Sequence, residues 1–301
     1  MAYIPLLASL NGGVLAKFAD RHIAEAWLPR VVTGEAVVAV GLTEPSGGSD
    51  AAALSMHAER RPDGYCLRGE KTSVSMTTQA HAAIVFARTG TREDGARGVS
   101  GFFVPLDARG IARTTIDDLG SRAVGRGSIF FDDVILPHDH LLGEEGRGFG
   151  QIMQGFDYSR ALIGLQCIGA AQASLDETWA YIEQRQAFGR PLADFQGVTF
   201  PLAECDAWLE AARQLCYQTL RLRDQGLPHT REAAMSKWLG PKTAFETIHQ
   251  CLLSHGHYGY STDLPHQQRL RDVMGLEIGD GTAQVMKMII SRTRATGASR
   301  R

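Results

Sequence analysis

Ala82-Ala83-Ile84-Val85-Phe86-Ala87, a turn-rich passage from Gly90 to Gly98, then Gly101-Phe102-Phe103-Val104: two short apolar runs of β type with a loop between them. Similar runs stand at Val37-Val38-Ala39-Val40, Tyr65-Cys66-Leu67 and Ser128-Ile129-Phe130-Phe131. Turn signals separate them at Pro62-Asp63-Gly64, Asp107 to Gly110 and Gly120 to Gly127. Short strands parted by turns predict an antiparallel sheet or small barrel over 35–138. No strand–helix alternation is present, which argues against a Rossmann unit.

The flanks have a different texture. Leu15, Phe18, Ile23, Ala26, Trp27 and Val31 recur at helical spacing, and Gly34 ends that stretch. Beyond the β region, Phe149 to Ile182, Phe195 to Gln225, Arg231 to Leu253 and Thr282 to Thr296 read as four helical runs with short joints, a bundle. The expected fold is α+β, mainly α: a partial helical domain at 1–34, a β-barrel-like domain at 35–138, and a four-helix bundle at 139–301.

The 301 residues are 44% hydrophobic and 21% charged, with a formal net charge of −2. That is ordinary globular composition, with no basic excess to suit nucleic acid or an anionic membrane surface. The five cysteines are odd in number and form no C-x-x-C pair, so neither a disulfide framework nor a zinc site is indicated, and a reducing cytoplasm fits. His249, Cys251, His255, His257 and His266 cluster late in the chain, but their spacings match no metal-ligand pattern. No run reaches the length of a membrane helix. The apolar start, Met1 to Leu10, has no basic n-region and is interrupted by Pro5, so it reads as a packed helix rather than a signal peptide.

Several runs carry chemistry. Gly41-Leu42-Thr43-Glu44-Pro45-Ser46-Gly47-Gly48-Ser49-Asp50 offers backbone N–H groups and hydroxyls to a flat polar ligand, or is a plain surface turn. Gly69-Glu70-Lys71-Thr72-Ser73-Val74-Ser75 puts Ser73 and Ser75 on one side of an extended segment, or is a polar edge strand. Arg185-Gln-Ala-Phe188-Gly189-Arg190 suits a diphosphate through its guanidinium groups, or is a solvated helix–helix turn. Asp157 and Arg160 share a helix face, where a surface ion pair is the plainer reading. Glu277-Ile278-Gly279-Asp280-Gly281-Thr282 hangs one carboxylate between two glycines, open to a substrate, and suggests a base.

Taken in order, these runs resemble the acyl-CoA dehydrogenase flavoprotein family. The matching residues are Leu42-Thr43-Glu44-Pro45-x-Gly47-Gly48-Ser49-Asp50, Lys71-x-x-Val74-Ser75, Arg185-x-x-Phe188-Gly189, Phe195-Gln196, Gly259-Tyr260, and Arg271-Asp272 ahead of Gly281-Thr282. The resemblance spans about Leu15 to about Arg292. It implies non-covalent FAD between the β domain and the bundle, a homotetramer or homodimer, an acyl-CoA substrate, and an electron-transfer flavoprotein as acceptor. It implies that Asp280 takes the thioester α-proton while flavin N5 accepts a hydride from the β-carbon.

Carried over residue by residue, Leu42, Thr43, Gly48, Ser49, Ser73, Val74, Ser75, Arg185, Phe188, Leu192, Phe195, Gln196, Gly256, Thr282 and Gln284 fall on cofactor contacts. Ser49, Phe156, Asp157, Arg160 and Gly281 fall on substrate contacts.

There are departures from the family pattern. The base is Asp where the family has Glu, one methylene shorter; the bundle-helix position that carries the glutamate in some relatives is Ser159. Aspartate here is shared with cyclic acyl-CoA dehydrogenases and nitroalkane oxidases. A branched or alicyclic acyl thioester is favoured, with a nitroalkane-type oxidase and a non-catalytic FAD-binding subunit as alternatives. Leu253 and Gly256-His257 replace a glutamine and a Gly-Gly. The resemblance also implies further helices ahead of where this chain starts, helices that wall the acyl pocket. A misplaced gene start, a natural truncation and a partner subunit supplying that wall are the competing explanations. A wetter pocket would weaken Asp280 as a base.

Overall fold

A computed structural model describes residues 3–295. They fall into two compact units: a sheet unit of 3–118 with 122–156, and a helical unit of 119–121 with 157–295.

The sheet unit opens with α1 (Tyr3–Phe18) and α2 (Arg21–Thr33). The expected helical stretch is thus broken at Ala19-Asp20. Asp20 caps α2 by accepting from His22 N–H at 3.1 Å, and Gly34 closes it at φ 80°. Seven strands follow: β1 (Val38–Gly41), β2 (His57–Arg61), β3 (Gly64–Val74), β4 (Ala82–Arg88), β5 (Val99–Pro105), β6 (Ile111–Thr115) and β7 (Gly127–Leu136). They pair in the order β1-β4-β2-β3-β7-β6, with β5 on β4.

The sheet is antiparallel except at β4, where β1 runs parallel over four residue pairs and β2 meets it at His57–Arg88 alone. The departure from an all-antiparallel module has a topological cause. The chain leaves β1, forms the loop to Ser55 and the β2–β3 hairpin, and returns to β4 from the same end, which a parallel pair requires.

Strand β4 is buried on both faces. Ile84 and Phe86 join Leu15, Ile23, Phe103 and Ile152 in one core; Ala83, Val85 and Ala87 join Leu67, Phe102, Val104 and Ile129 in the other. This is why its sequence is a continuous apolar run rather than an alternating one.

The helical unit contains α3 (Gly148–Gln184, whose first turns lie in the sheet unit), α4 (Gln196–Asp224), α5 (Thr230–Ser254), α6 (His266–Ile278) and α7 (Ala283–Ala295). Helix α6 lies outside the four runs expected: it is polar, and only His266, Val273 and Leu276 are buried. Helix α5 packs against α4, α6 and α7. It also crosses α3 closely, for a Cβ on Gly240 would lie 2.5 Å from Gly164 Cα.

The five cysteines are free thiols, four buried and Cys205 half-buried. Among the described residues no helix is long and apolar enough to cross a membrane.

Candidate active site

Asp280 stands in the turn between α6 and α7. Helix α6 ends at Ile278, and Gly279 N–H closes it on Gly275 O at 3.1 Å. Asp280 and Gly281 then take φ of 56° and 108°. Aspartate tolerates that left-handed region better than a longer side chain, and Gly281 has no Cβ to strain it. Thr282 stands just ahead of α7, its carbonyl accepting Met286 N–H at 2.9 Å.

Three groups from neighbouring helices hold this turn. Ser159 Oγ donates to Asp280 Oδ2 at 2.8 Å. Arg160 Nε donates to the Asp280 carbonyl at 3.3 Å. Lys237 Nζ donates to the Gly281 carbonyl at 3.1 Å. All three side chains belong to buried residues. Their convergence follows from the glycine crossing: Ser159 and Arg160 lie about one turn from Gly164 on α3, and Lys237 lies about one turn from Gly240 on α5. The other carboxylate oxygen, Oδ1, accepts no hydrogen bond among the described residues.

The Asp157–Arg160 pair is not on the surface. Arg160 Nη1 meets Asp157 Oδ1 at 3.1 Å, and Thr230 Oγ1 donates to Asp157 Oδ2 at 2.5 Å. Burial pulls the Arg160 guanidinium down from its ordinary value, against the pull of Asp157 and Asp280. Burial likewise lowers Lys237 to about 8, with Asp280 the strongest opposing charge. Glu277, half-buried near Lys237, is pushed up by burial.

The glycine-rich run lies in the sheet unit. Glu44 and Gly47 exchange backbone hydrogen bonds at 3.2 and 3.0 Å, closing a turn whose residues from Pro45 on are exposed. Behind it, Lys71 Nζ contacts Glu44 Oε1 at 2.7 Å and Leu42 O at 3.2 Å. Ser55 N–H, Ser55 Oγ and Met56 N–H complete the shell around the Glu44 carboxylate. Burial pushes the Glu44 carboxyl up, but the bonds from Lys71 and Ser55 outweigh it and hold the carboxyl below its usual range. Burial takes Lys71 down to about 8. Strand β3 therefore lies inside the sheet, between β2 and β7, with a wholly buried lysine, and is not an edge strand.

Thr72 N–H donates to Thr43 O at 2.9 Å, which ties the loop to the start of Ser73-Val74-Ser75. Ser73 and Ser75 do not share one side of an extended segment. Ser73 sits at φ 57° and the β3–β7 register shifts between Lys71 and Val74, so the alternation breaks there. Arg126 Nη1 donates to Ser73 Oγ at 3.2 Å, and its guanidinium is held by Asp118.

The Arg185 run is a hairpin rather than a plain helix joint. β8 (Gln186–Ala187) pairs with β9 (Arg190–Pro191) across Phe188 and Gly189, whose φ values of 51° and 80° give a two-residue primed turn. Phe188 is 95% exposed at its tip. Leu192 N–H returns to Arg185 O at 2.8 Å, and Phe195 lies edge-on to Phe188 and beneath Arg190. Gln196 and Gln284 are exposed, and Gly256 follows α5 at φ 61°. Phe156 is buried in the sheet unit's core. Arg271 and Asp272 hold the 119–121 segment: Arg271 Nη1 donates to Leu119 O, and Asp272 accepts from Ser121 N–H.

The sequence reading missed the work of Ser159, Lys237, Arg126 and the Glu44–Lys71 pair. Lys237 left a trace there, as one lysine in the mostly apolar stretch from Ala233 to Leu239.

Comparison with known proteins gives the family. Residues 39–134 match the family model "Acyl-CoA dehydrogenase, middle domain", and 146–294 match "Acyl-CoA dehydrogenase, C-terminal domain". The mitochondrial short-chain specific acyl-CoA dehydrogenase of Rattus norvegicus is 36% identical over 284 residues, 94% of this chain and 69% of the rat protein. The caffeyl-CoA reductase–Etf complex subunit CarC of Acetobacterium woodii is 34% identical over 290 residues, 96% of this chain and 76% of CarC. The structure of butyryl-CoA dehydrogenase from Megasphaera elsdenii superposes with a TM-score of 0.92 at 32% identity, covering 95% of this chain and 75% of that one. The chain therefore belongs to the acyl-CoA dehydrogenase family.

Proposed function

We propose that this chain dehydrogenates a branched or alicyclic acyl-CoA at Cα–Cβ, with Asp280 as the α-proton base. The observation that carries the reading is the Asp280 carboxylate: one oxygen is held by Ser159 and the other takes no hydrogen bond among the described residues. A carboxylate fixed at one oxygen is aimed at the other, and orientation of this kind is a large part of a base's effectiveness.

The residues fit FAD. In the sheet unit the hydroxyls of Thr43, Ser49 and Ser75 and the N–H groups of Ser46, Gly48 and Ser49 have no hydrogen-bond partner among the described residues. A Cβ on Gly48 would crowd Thr43 at 3.3 Å, so glycine keeps this cradle open. Leu42, Thr43, Gly48, Ser49 and Ser73 to Ser75 would hold the flavin. In the helical unit, Thr282 and Gln284, just after the base, are further proposed cofactor contacts. In the helical unit Arg185, Phe188, Leu192, Phe195, Gln196 and Gly256 would take the adenine and diphosphate of a neighbouring subunit's cofactor, which makes the working form a homo-oligomer. FAD, when bound, supplies the acceptor for the β-hydride. Asp280 moves the α-proton, Ser159 and Arg160 fix it, and in the helical unit Asp157, Arg160 and Gly281 are the proposed contacts to the CoA thioester. An electron-transfer flavoprotein as acceptor is supported by the likeness to CarC, named as part of an Etf complex.

The test is an anaerobic absorbance titration of flavin-loaded protein with a panel of acyl-CoAs, cyclohexanecarboxyl-CoA included. Bleaching of the flavin band by one thioester, lost in Asp280→Asn, is the expected result. Flavin that stays oxidised with every thioester would turn the reading toward an oxidase of carbon acids.

A further inference from the structure

We infer that Lys237 is a positioning residue for the base turn, holding Asp280 at its working place through the Gly281 carbonyl. The inference rests on the reading of Asp280 as the base. Gly279, Asp280 and Gly281 form a turn with little side-chain packing of its own, and two glycines flank the carboxylate. Such a segment is loose unless its backbone is tied. The ties are two cations on consecutive carbonyls, Arg160 on Asp280 O and Lys237 on Gly281 O, at 3.3 and 3.1 Å.

Lys237 is 1% exposed. Its ammonium makes no salt bridge among the described residues; its hydrogen bond goes to a neutral carbonyl. Burying a lysine in this way is costly, and a well-packed apolar side chain of similar size would serve the core as well or better. The charge is therefore there for the turn it contacts. Its charged and titratable neighbours are Asp280 in the turn, Glu277 on α6, and Arg160 and Cys167 on α3.

The experiment compares wild type, Lys237→Met, Lys237→Gln and Asp280→Asn, all flavin-loaded, by thermal unfolding and by steady-state kinetics that separate kcat from KM. Methionine keeps the volume but removes both donor and charge; glutamine keeps a donor without the charge. Lys237→Met should melt at or above the wild-type temperature while kcat falls about 10- to 100-fold, the loss expected when a reacting group moves by about an ångström. KM should change little, since the lysine contacts the base turn. Lys237→Gln should recover part of kcat.

A folded Lys237→Met with wild-type kcat, or one whose loss lies in KM and not in kcat, overturns the inference. So does failure of both variants to fold, which would make the lysine a structural requirement. If Asp280→Asn keeps its activity, the base reading itself fails, whatever the lysine variants do.

Discussion

Lys71→Met tests whether the glycine-rich loop is held from behind. In the wild type the ammonium lies 2.7 Å from Glu44 Oε1, with neither side chain more than 4% exposed. At an effective dielectric of about 20, charges at that distance attract by roughly 6 kcal/mol, and desolvation cancels much of it. Removing one partner leaves the other charge buried, which costs about 3–5 kcal/mol. Three bonds to Glu44 from Ser55 and Met56 survive the substitution, which favours the lower end of that range. At roughly 2–3 °C per kcal/mol for a chain of this size, Lys71→Met should lower the melting temperature by about 6–10 °C. The double variant Lys71→Met, Glu44→Gln has no buried charge left and should recover at least half of the loss. Flavin should be released ahead of global unfolding in the single variant, because Leu42 O loses its donor. The assay is thermal unfolding followed by circular dichroism and flavin fluorescence. A single variant melting within about 2 °C of wild type, or a double variant no better than the single, would refute the reasoning.

Other outcomes follow from the same geometry. Glu44 has a folded pKa below its ordinary 4.5, so its contribution is present above that pH and fades as pH falls through the lowered value. Urea melts of wild type and Glu44→Gln should therefore differ at about pH 6 and converge in acid. Gly281→Ala forces an L side chain to φ 108°, and should cost about 1–3 kcal/mol by denaturant unfolding and lower kcat as the base shifts. Gly240→Ala would set a Cβ 2.5 Å from the α3 backbone; parting the helices should cost roughly 1–3 kcal/mol in the same assay and lower kcat too. Asp280→Glu should keep only a small fraction of wild-type turnover, since the longer arm meets Ser159 at the wrong distance.

What could be read in the sequence was what solvent exposure imprints on it. Strands β4 and β5 announced themselves because both faces are buried and, apart from Arg88 and Ser100, their positions are apolar. β2, His57-Ala-Glu-Arg-Arg61, and β6, Ile111-Ala-Arg-Thr-Thr115, are largely polar and left no β signal, and α6 was hidden for the same reason. The base turn was legible because two glycines around a carboxylate are a local feature. Its supports were not, because Ser159, Lys237 and Asp280 are brought together only by a helix crossing, and a lysine in sequence reads as surface. Ser73 reads as one more strand position until the positive φ appears.

The hidden thiols give the chain a practical property. Burial pushes Cys167 and Cys251 up to about 12 and Cys216 to about 11, and raises Cys66 and Cys205 as well. Thiolate, the reactive form, is scarce at all five in the folded protein. A maleimide dye offered at neutral pH would find little to attack. One cysteine introduced as Phe188→Cys, at the tip of the hairpin, would then carry nearly all the label, and energy transfer between two such labels would report how closely two copies bring their hairpins together.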